Sequence, residues 1–354
     1  MTTPHPLDFA YDAAPAPGAL VEVAPGLHWL RMPIPLDLDH INLWLIEDQD
    51  AAGAPTWTLI DSGFGDAATQ GLWRAIFDGP AAGRRPHRLI CTHYHPDHFG
   101  LAGWLERTYG VTVEMTETEW IVGSLLPRIG HQAAADAQDA FFARHGMPAD
   151  MRGRLAAQGN EFKTRTEPPP AACRRIRHGQ TLTLGGREWE VIVTEGHASE
   201  HACLSCADLD LLICGDQLLP KITPNISVYW FRDGARPLAE YLESLDQLEA
   251  RIPASTLVLP SHKLPYRGAP TRVAQLRAHH AERLEALAGA LGDASKSAFD
   301  LTPALFPRRL DDMHMMFALG ETIAHLEHLA ADGRAVGAPG EDGVKRWRAG
   351  PGGA

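Results

Sequence analysis

Four side chains able to bind a metal, His93, His95, Asp97 and His98, fall within six positions of ICTHYHPDHFGLAGWL, residues 90–105. They follow an apolar run directly, so a buried strand ends where the cluster begins. A divalent transition metal needs imidazoles or carboxylates converging to about 2.0–2.2 Å from one point. Residues two apart on an extended segment project to the same side, so His93 and His95 can clasp one ion. Asp97 and His98 follow Pro96, where the backbone turns toward a helix, and can address a neighbouring point. The spacing suits two metals. The competing reading is a polar surface loop, since a chain with eighteen histidines clusters some by chance.

Two metals need further ligands, and three later apolar runs end in suitable ones: TEGH in His197, LLICGD in Asp216, VLPSH in His262. Loops at strand ends on one sheet edge are where catalytic groups converge. Singly, His197 reads as a turn residue, Asp216 as a helix cap and His262 as a solvent-facing loop histidine. Their repetition favours a site.

The surrounding pattern is mixed. Short apolar runs from Leu20 to Ile60 read as antiparallel strands. AATQGLWRAIF then reads as a helix, HRLICTH as a buried strand, HFGLAGWLERTYG as a helix and VTVEM as a strand. The TETE segment offers a capping box, Thr116 with Glu119, and opens a helical insertion over about 116–162. Strands resume after EPPPAAC and run to TLVLPSH, broken by the helix PLAEYLESLDQLEARI. A long helix follows from Thr271 to Leu291, with Val273, Leu276, Leu284, Leu287 and Leu291 on roughly one face. FDLTPALFPRRLDDMHMMFALGETIAHLEHLAADGRAV predicts three short helices and a turn, and the last stretch a flexible tail. The expected division is a catalytic domain over 20–268, a small helical domain over 269–337 and a tail over 338–354.

Composition narrows the function classes. The net charge of −12 opposes unspecific attraction to phosphate backbones. No apolar stretch is long enough to span a bilayer, and the N-terminus lacks a signal-peptide pattern. A cytoplasmic protein without membrane attachment is expected, its five cysteines reduced. Cys203 and Cys206 form a lone pair and read as strand packing. GFGDAA imitates a dinucleotide fingerprint but lacks an acidic ribose partner, and no GxSxG or Walker loop is present.

HYHPDH, followed in order by GH, GD and a strand-end His, resembles the metallo-β-lactamase superfamily. The resemblance covers roughly Leu20 to Tyr266. It implies an α/β fold, the four-layer αββα sandwich, with His93, His95 and His197 on a first metal. It places Asp97, His98 and His262 on a second, with Asp216 bridging. LIDSG resembles the family's Asp-containing turn and implies that Asp61 orients a ligand. ETIAHLEHLAADGRAV resembles the winged-helix-like appendage of one branch. The bridging position is Asp216 with Cys214 two residues earlier, unlike the thiolate-ligated β-lactamases. Leu219 replaces the tyrosine of acyl-homoserine lactonases, and His95 the glutamate of the flavodiiron branch.

The implied chemistry is hydrolysis by two divalent ions, zinc first, with iron or manganese as alternatives. Such ions lower the pKa of bound water from about 15.7 toward 7, giving a metal-bound hydroxide. Asp97 would ligate and help position the nucleophile. The favoured substrate is a small-molecule acyl ester or thioester, because the chain is acidic and the Ala-, Leu-, Phe- and Met-containing insertion could roof an acyl pocket. Tyr94, Lys221, Tyr229 and Lys263 neighbour ligands and are candidate substrate contacts. A metal-dependent phosphodiesterase or ribonuclease is the first alternative, needing a basic track for which Arg174, Arg175 and Arg177 are the dense candidate. A non-catalytic metal-binding assembly module is the second. The segment GETIAHLEHLAAD carries no Lys or Arg, so packing or homodimerisation is expected of it rather than DNA binding.

Overall fold

The computed structural model describes residues 7–35 and 38–352. The chain forms two compact units. The first comprises Met1–Arg128, Glu161–Pro224 and Glu249–Arg272, and the second Ile129–Asn160, Asn225–Leu248 and Val273–Ala354.

The first unit is built from two sheets laid down almost in sequence order. After β1 (Asp8–Phe9), the strands β2 (Leu20–Ala24), β3 (Leu27–Pro33), β4 (His40–Gln49), β5 (Pro55–Ile60), β6 (Arg85–Ile90), β7 (Thr112–Met115) and β8 (Arg174–Arg175) lie side by side. The hairpin-linked half of this sheet is antiparallel. From β5 onward the pairs are parallel, because α1 (Ala67–Asp78) and the helices after β6 carry the chain back across. The second sheet takes β9 (Thr181–Leu184), β10 (Arg187–Thr194), β11 (His201–Cys206), β12 (Leu211–Gly215), β13 (Leu257–Pro260) and β14 (Tyr266–Arg267), with β1 beyond β14. Only β12 and β13 pair in parallel within it.

The two sheets share one apolar core. Trp29, Trp44, Ile46, Ile60 and Ile90 from the first meet Trp189, Val191, Leu204, Ile213 and Leu259 from the second, all buried. Alternation explains the first contribution: along β3, Leu27 and Trp29 point inward while His28 is half-buried. The α/β two-sheet architecture is the one expected. All five cysteines are free thiols, and no described helix is long and apolar enough to cross a membrane.

The helix expected over HFGLAGWLERTYG is broken into α2 (Pro96–Phe99) and α3 (Ala102–Tyr109). Gly100 marks the break, since a Cβ there would lie 2.1 Å from Pro96 O and 2.6 Å from Gly65 N. The insertion is helical as expected, through α4 (Glu117–Leu125), α5 (His131–Arg144), α6 (Ala149–Gln158) and α7 (Glu161–Arg165). Of these, α5 and α6 belong to the second unit.

The second unit also holds most of α8 (Pro237–Arg251) and α9 (Ala269–Ala290), and the expected apolar face of α9 is buried. After them come β15 (Lys296–Ser297), α10 (Ala298–Leu305), α11 (Asp312–Ala331), β16 (Ala335–Pro339) and β17 (Lys345–Ala349). Two expectations are corrected here. The three short helices are two, because DMHMMFALGETIAHLEHLAA contains no breaker strong enough to end one continuous helix. The expected flexible tail instead contains a strand: β17 pairs with both β16 and β15 and buries Trp347.

Candidate metal centre

The seven ligand candidates converge in the first unit. His93, His95 and His197 form one group; His93, His98 and Asp216 a second; Asp97, His98 and His262 a third. Within each group the ligand atoms lie within 4.8 Å of one another. His93 Nε2 is 2.8 Å from His95 Nδ1 and 3.2 Å from His197 Nε2. Asp216 Oδ2 faces His197 Nε2 at 3.5 Å, whereas its Oδ1 faces His98 Nε2 at 3.4 Å and His262 Nε2 at 3.3 Å. Asp97 Oδ2 completes the third group, 3.5 Å from His98 Nε2 and 3.4 Å from His262 Nε2.

These separations test the fit to a metal. Donors bound tetrahedrally at about 2.1 Å stand about 3.4 Å apart. His98 Nε2, His262 Nε2 and Asp216 Oδ1 are buried yet make no hydrogen bond of acceptable geometry. Buried polar atoms are normally satisfied, so three orphans aimed at one another fit a cation between them.

The charge states agree. Burial and the neighbouring imidazoles hold His95 down at about 3 and His93 well below its ordinary range, so both are neutral, as ligands must be. Burial opposes charge at His98 and His262, but Asp97 and Asp216 outweigh it, pushing His262 up to about 10 and His98 well up. Asp97 is held ionised at about 2, because the attraction of His98 and His262 overcomes its own desolvation. The carboxylates thus favour positive charge at these two rings, as they would favour a bound cation.

A supporting layer fixes several of the donors. Asp61, in the left-handed region at φ 64°, accepts Thr92 N–H at 2.7 Å on Oδ1 and the Thr92 hydroxyl at 2.9 Å on Oδ2. The same Oδ2 lies 2.8 Å from His98 Nδ1, while Thr92 Oγ1 is 3.0 Å from His93 Nδ1. Ser62 donates its hydroxyl to His98 O at 2.8 Å and accepts Leu101 N–H at 3.0 Å. The LIDSG turn therefore holds the HYHPDH loop at its two ends, through Thr92 and His98. His262 Nδ1 is fixed by His40 O at 2.8 Å. His201 is not a ligand among these groups: its Nε2 accepts Asp216 N–H at 3.1 Å. Gly215 is required beside it, since a Cβ at its φ of 51° would lie 2.4 Å from His201 Nε2.

The four residues singled out as substrate contacts fare differently. Tyr94 is buried, its ring packed on His95 and Phe162. Lys221 is exposed, with its ammonium over the Phe9 ring. Lys263 adopts a left-handed conformation and presents its carbonyl to the Asn42 amide. Tyr229 belongs to the second unit, where the Asn225 amide donates to its hydroxyl. Thr92 and His40 escaped sequence reasoning. Their contributions run through backbone atoms or single hydroxyls and leave no pattern.

Comparison with known proteins decides the family. The profile of the metallo-beta-lactamase superfamily matches residues 36–289, and that of the metallo-beta-lactamase-like C-terminal domain matches residues 284–350. The chain belongs to the metallo-beta-lactamase superfamily. Its members are hydrolases that bind divalent metals, in keeping with the His93, His95, His197 and Asp216 group. A beta-lactamase domain protein from Burkholderia ambifaria superposes with a TM-score of 0.90 at 41% identity, over 97% of this chain and 98% of that one. A metallo-beta-lactamase family protein from Thermus thermophilus gives 0.77 at 31% identity, over 93% and 100%. Among curated relatives, an acyl-coenzyme A thioesterase of Gallus gallus is 25% identical over 54% of this chain and 62% of its own length. A hydroxyacylglutathione hydrolase of Albidiferax ferrireducens is 25% identical over 66% of this chain and 65% of its own. The chain thus spans less than two thirds of either curated relative.

Proposed function

We propose that this superfamily hydrolase cleaves a small acyl thioester at a binuclear centre of zinc or a similar divalent ion. The observation that carries the binuclear reading is the division of labour at Asp216, whose Oδ2 faces His197 while Oδ1 faces His98 and His262. When bound, such ions supply Lewis acidity toward a carbonyl oxygen and acidify water. The protein's own residues do the rest. Asp61, Thr92 and the His40 carbonyl point His98, His93 and His262 into the centre. Asp97 turns Oδ2 toward His98 and His262, where it would ligate and help position the nucleophile.

The choice of bond rests on two supports. The curated relatives are an acyl-coenzyme A thioesterase and a hydroxyacylglutathione hydrolase. Part of the basic track that a ribonuclease would need is also charge-paired: Arg175 with Glu117 at 2.7 Å, while Arg174 shares Glu114, 3.6 Å away, with Arg88. The test is a side-by-side assay of metal-loaded protein on acyl thioesters and single-stranded RNA, with His95→Ala as contamination control. Thioester hydrolysis that disappears in the control is expected. RNA cleavage that disappears in the control, without thioester hydrolysis, overturns the choice.

A further inference from the structure

The start of α4 breaks a local rule. The sequence TETE predicts a reciprocal cap between Thr116 and Glu119, but Thr116 caps nothing, and its hydroxyl donates to Glu200 O at 2.7 Å. Glu119 is fully buried, 0% exposed, and its carboxylate reaches across two loops. Oε2 accepts the Tyr94 N–H at 3.1 Å, from the residue between His93 and His95. Oε1 accepts the Glu200 N–H at 2.8 Å, three residues beyond His197. Glu200 closes the circuit, its Oε2 accepting Thr118 N–H at 2.8 Å.

A carboxylate withdrawn from water is unfavourable unless hydrogen-bonded, and local departures from sequence rules concentrate at functional sites. Here each carboxylate oxygen takes a main-chain N–H from a different ligand-bearing loop. We propose that Glu119 is a positioning residue that sets the separation of the His93–His95 loop from the His197 loop. The inference rests on reading those histidines as metal ligands. Only a carboxylate serves both loops. Glutamine would offer one acceptor and turn an NH2 toward the other N–H, and aspartate would fall a methylene short. Metal sites tolerate deviations of only about 0.2 Å, so slack between the loops is read directly as lost affinity.

The test uses the full chain, wild type beside Glu119→Ala and Glu119→Gln. Zinc affinity is read by competition with a chromophoric chelator, ligand geometry from the visible absorption of the cobalt-loaded protein, and melting temperature with and without zinc. In Glu119→Ala the affinity for one metal equivalent should fall about 10- to 100-fold, the loss seen when outer partners of metal ligands are removed. Its cobalt spectrum should change, and zinc should add less to its melting temperature than in wild type. Glu119→Gln should lie between the two, and it decides on the same readouts if the alanine variant does not fold. Unaltered competition curves and cobalt spectra, with melting temperature lowered equally with and without zinc, overturn the proposal and leave Glu119 a structural staple. A wild-type chain that binds no zinc overturns the metal reading and this proposal together. Wild-type binding matched by both variants overturns this proposal alone.

Discussion

Asp61 Oδ2 and His98 Nδ1 lie 2.8 Å apart with both side chains buried, which commits the opposite ring nitrogen of His98 to the centre. The same oxygen accepts the Thr92 hydroxyl, so one carboxylate governs two histidines. Asp61→Asn is the cleanest probe, since asparagine tolerates the left-handed backbone at this position. Zinc affinity by chelator competition should fall about tenfold or more while the fold is retained. Unchanged affinity would remove Asp61 from the orienting layer.

Asp216→Asn preserves shape and removes the charge that faces both ligand groups. Thioester hydrolysis should drop by about two orders of magnitude, well beyond any change in melting temperature. Equal activity in the variant would mean that Asp216 does not bridge.

A pH effect is expected far from this chemistry. In the second unit His280 Nδ1 is 3.2 Å from His325 Nε2, and both rings are buried. Burial and neighbouring positive groups hold His280 at about 2, and burial holds His325 at about 4, against an ordinary 6.5. His279, His328 and Arg283 add positive charge on them, and the Glu321 carboxylate is paired with Arg283. The folded state therefore prefers both rings neutral. Their contribution is complete above pH 6.5 and is lost as pH falls from there toward 4 and below, by about 1.4 kcal/mol per unit for each group. Melting temperature should decline from about pH 6.5 to about 5, and less steeply in His280→Gln. Parallel curves for the two proteins would exclude the pair.

Selectivity among acyl groups is expected to depend on α4. Ile121 and Leu125, one turn apart, are 49% and 55% exposed, while Glu119 on the same helix reaches the ligand loop. The double substitution Ile121→Ser, Leu125→Ser should raise KM for long-chain acyl thioesters several-fold and leave acetyl thioesters and metal content unaltered. Unchanged relative rates across chain lengths would take α4 out of substrate selection.

The ligand candidates were legible because they follow the ends of apolar strands, with Asp97 and His98 just beyond on α2, and their order matches one superfamily. Of what supports them, only Asp61 was legible, through the resemblance of LIDSG. Thr92 lies thirty-one positions from Asp61, and His201 acts on a main-chain N–H, so neither periodicity nor spacing exposes them. At Thr116 and Glu119 the local pattern pointed to a cap, and the tertiary connection to Tyr94 and Glu200 prevailed. In β17 the burial of Trp347 in a three-stranded sheet outweighs the Gly-rich flanks that suggested a mobile tail.

Metal content tests the central claim most directly: elemental analysis of the reconstituted chain, wild type beside His262→Ala. Two ions per wild-type chain, falling toward one in the variant, is the predicted result. One ion per chain in both proteins would contradict the binuclear centre.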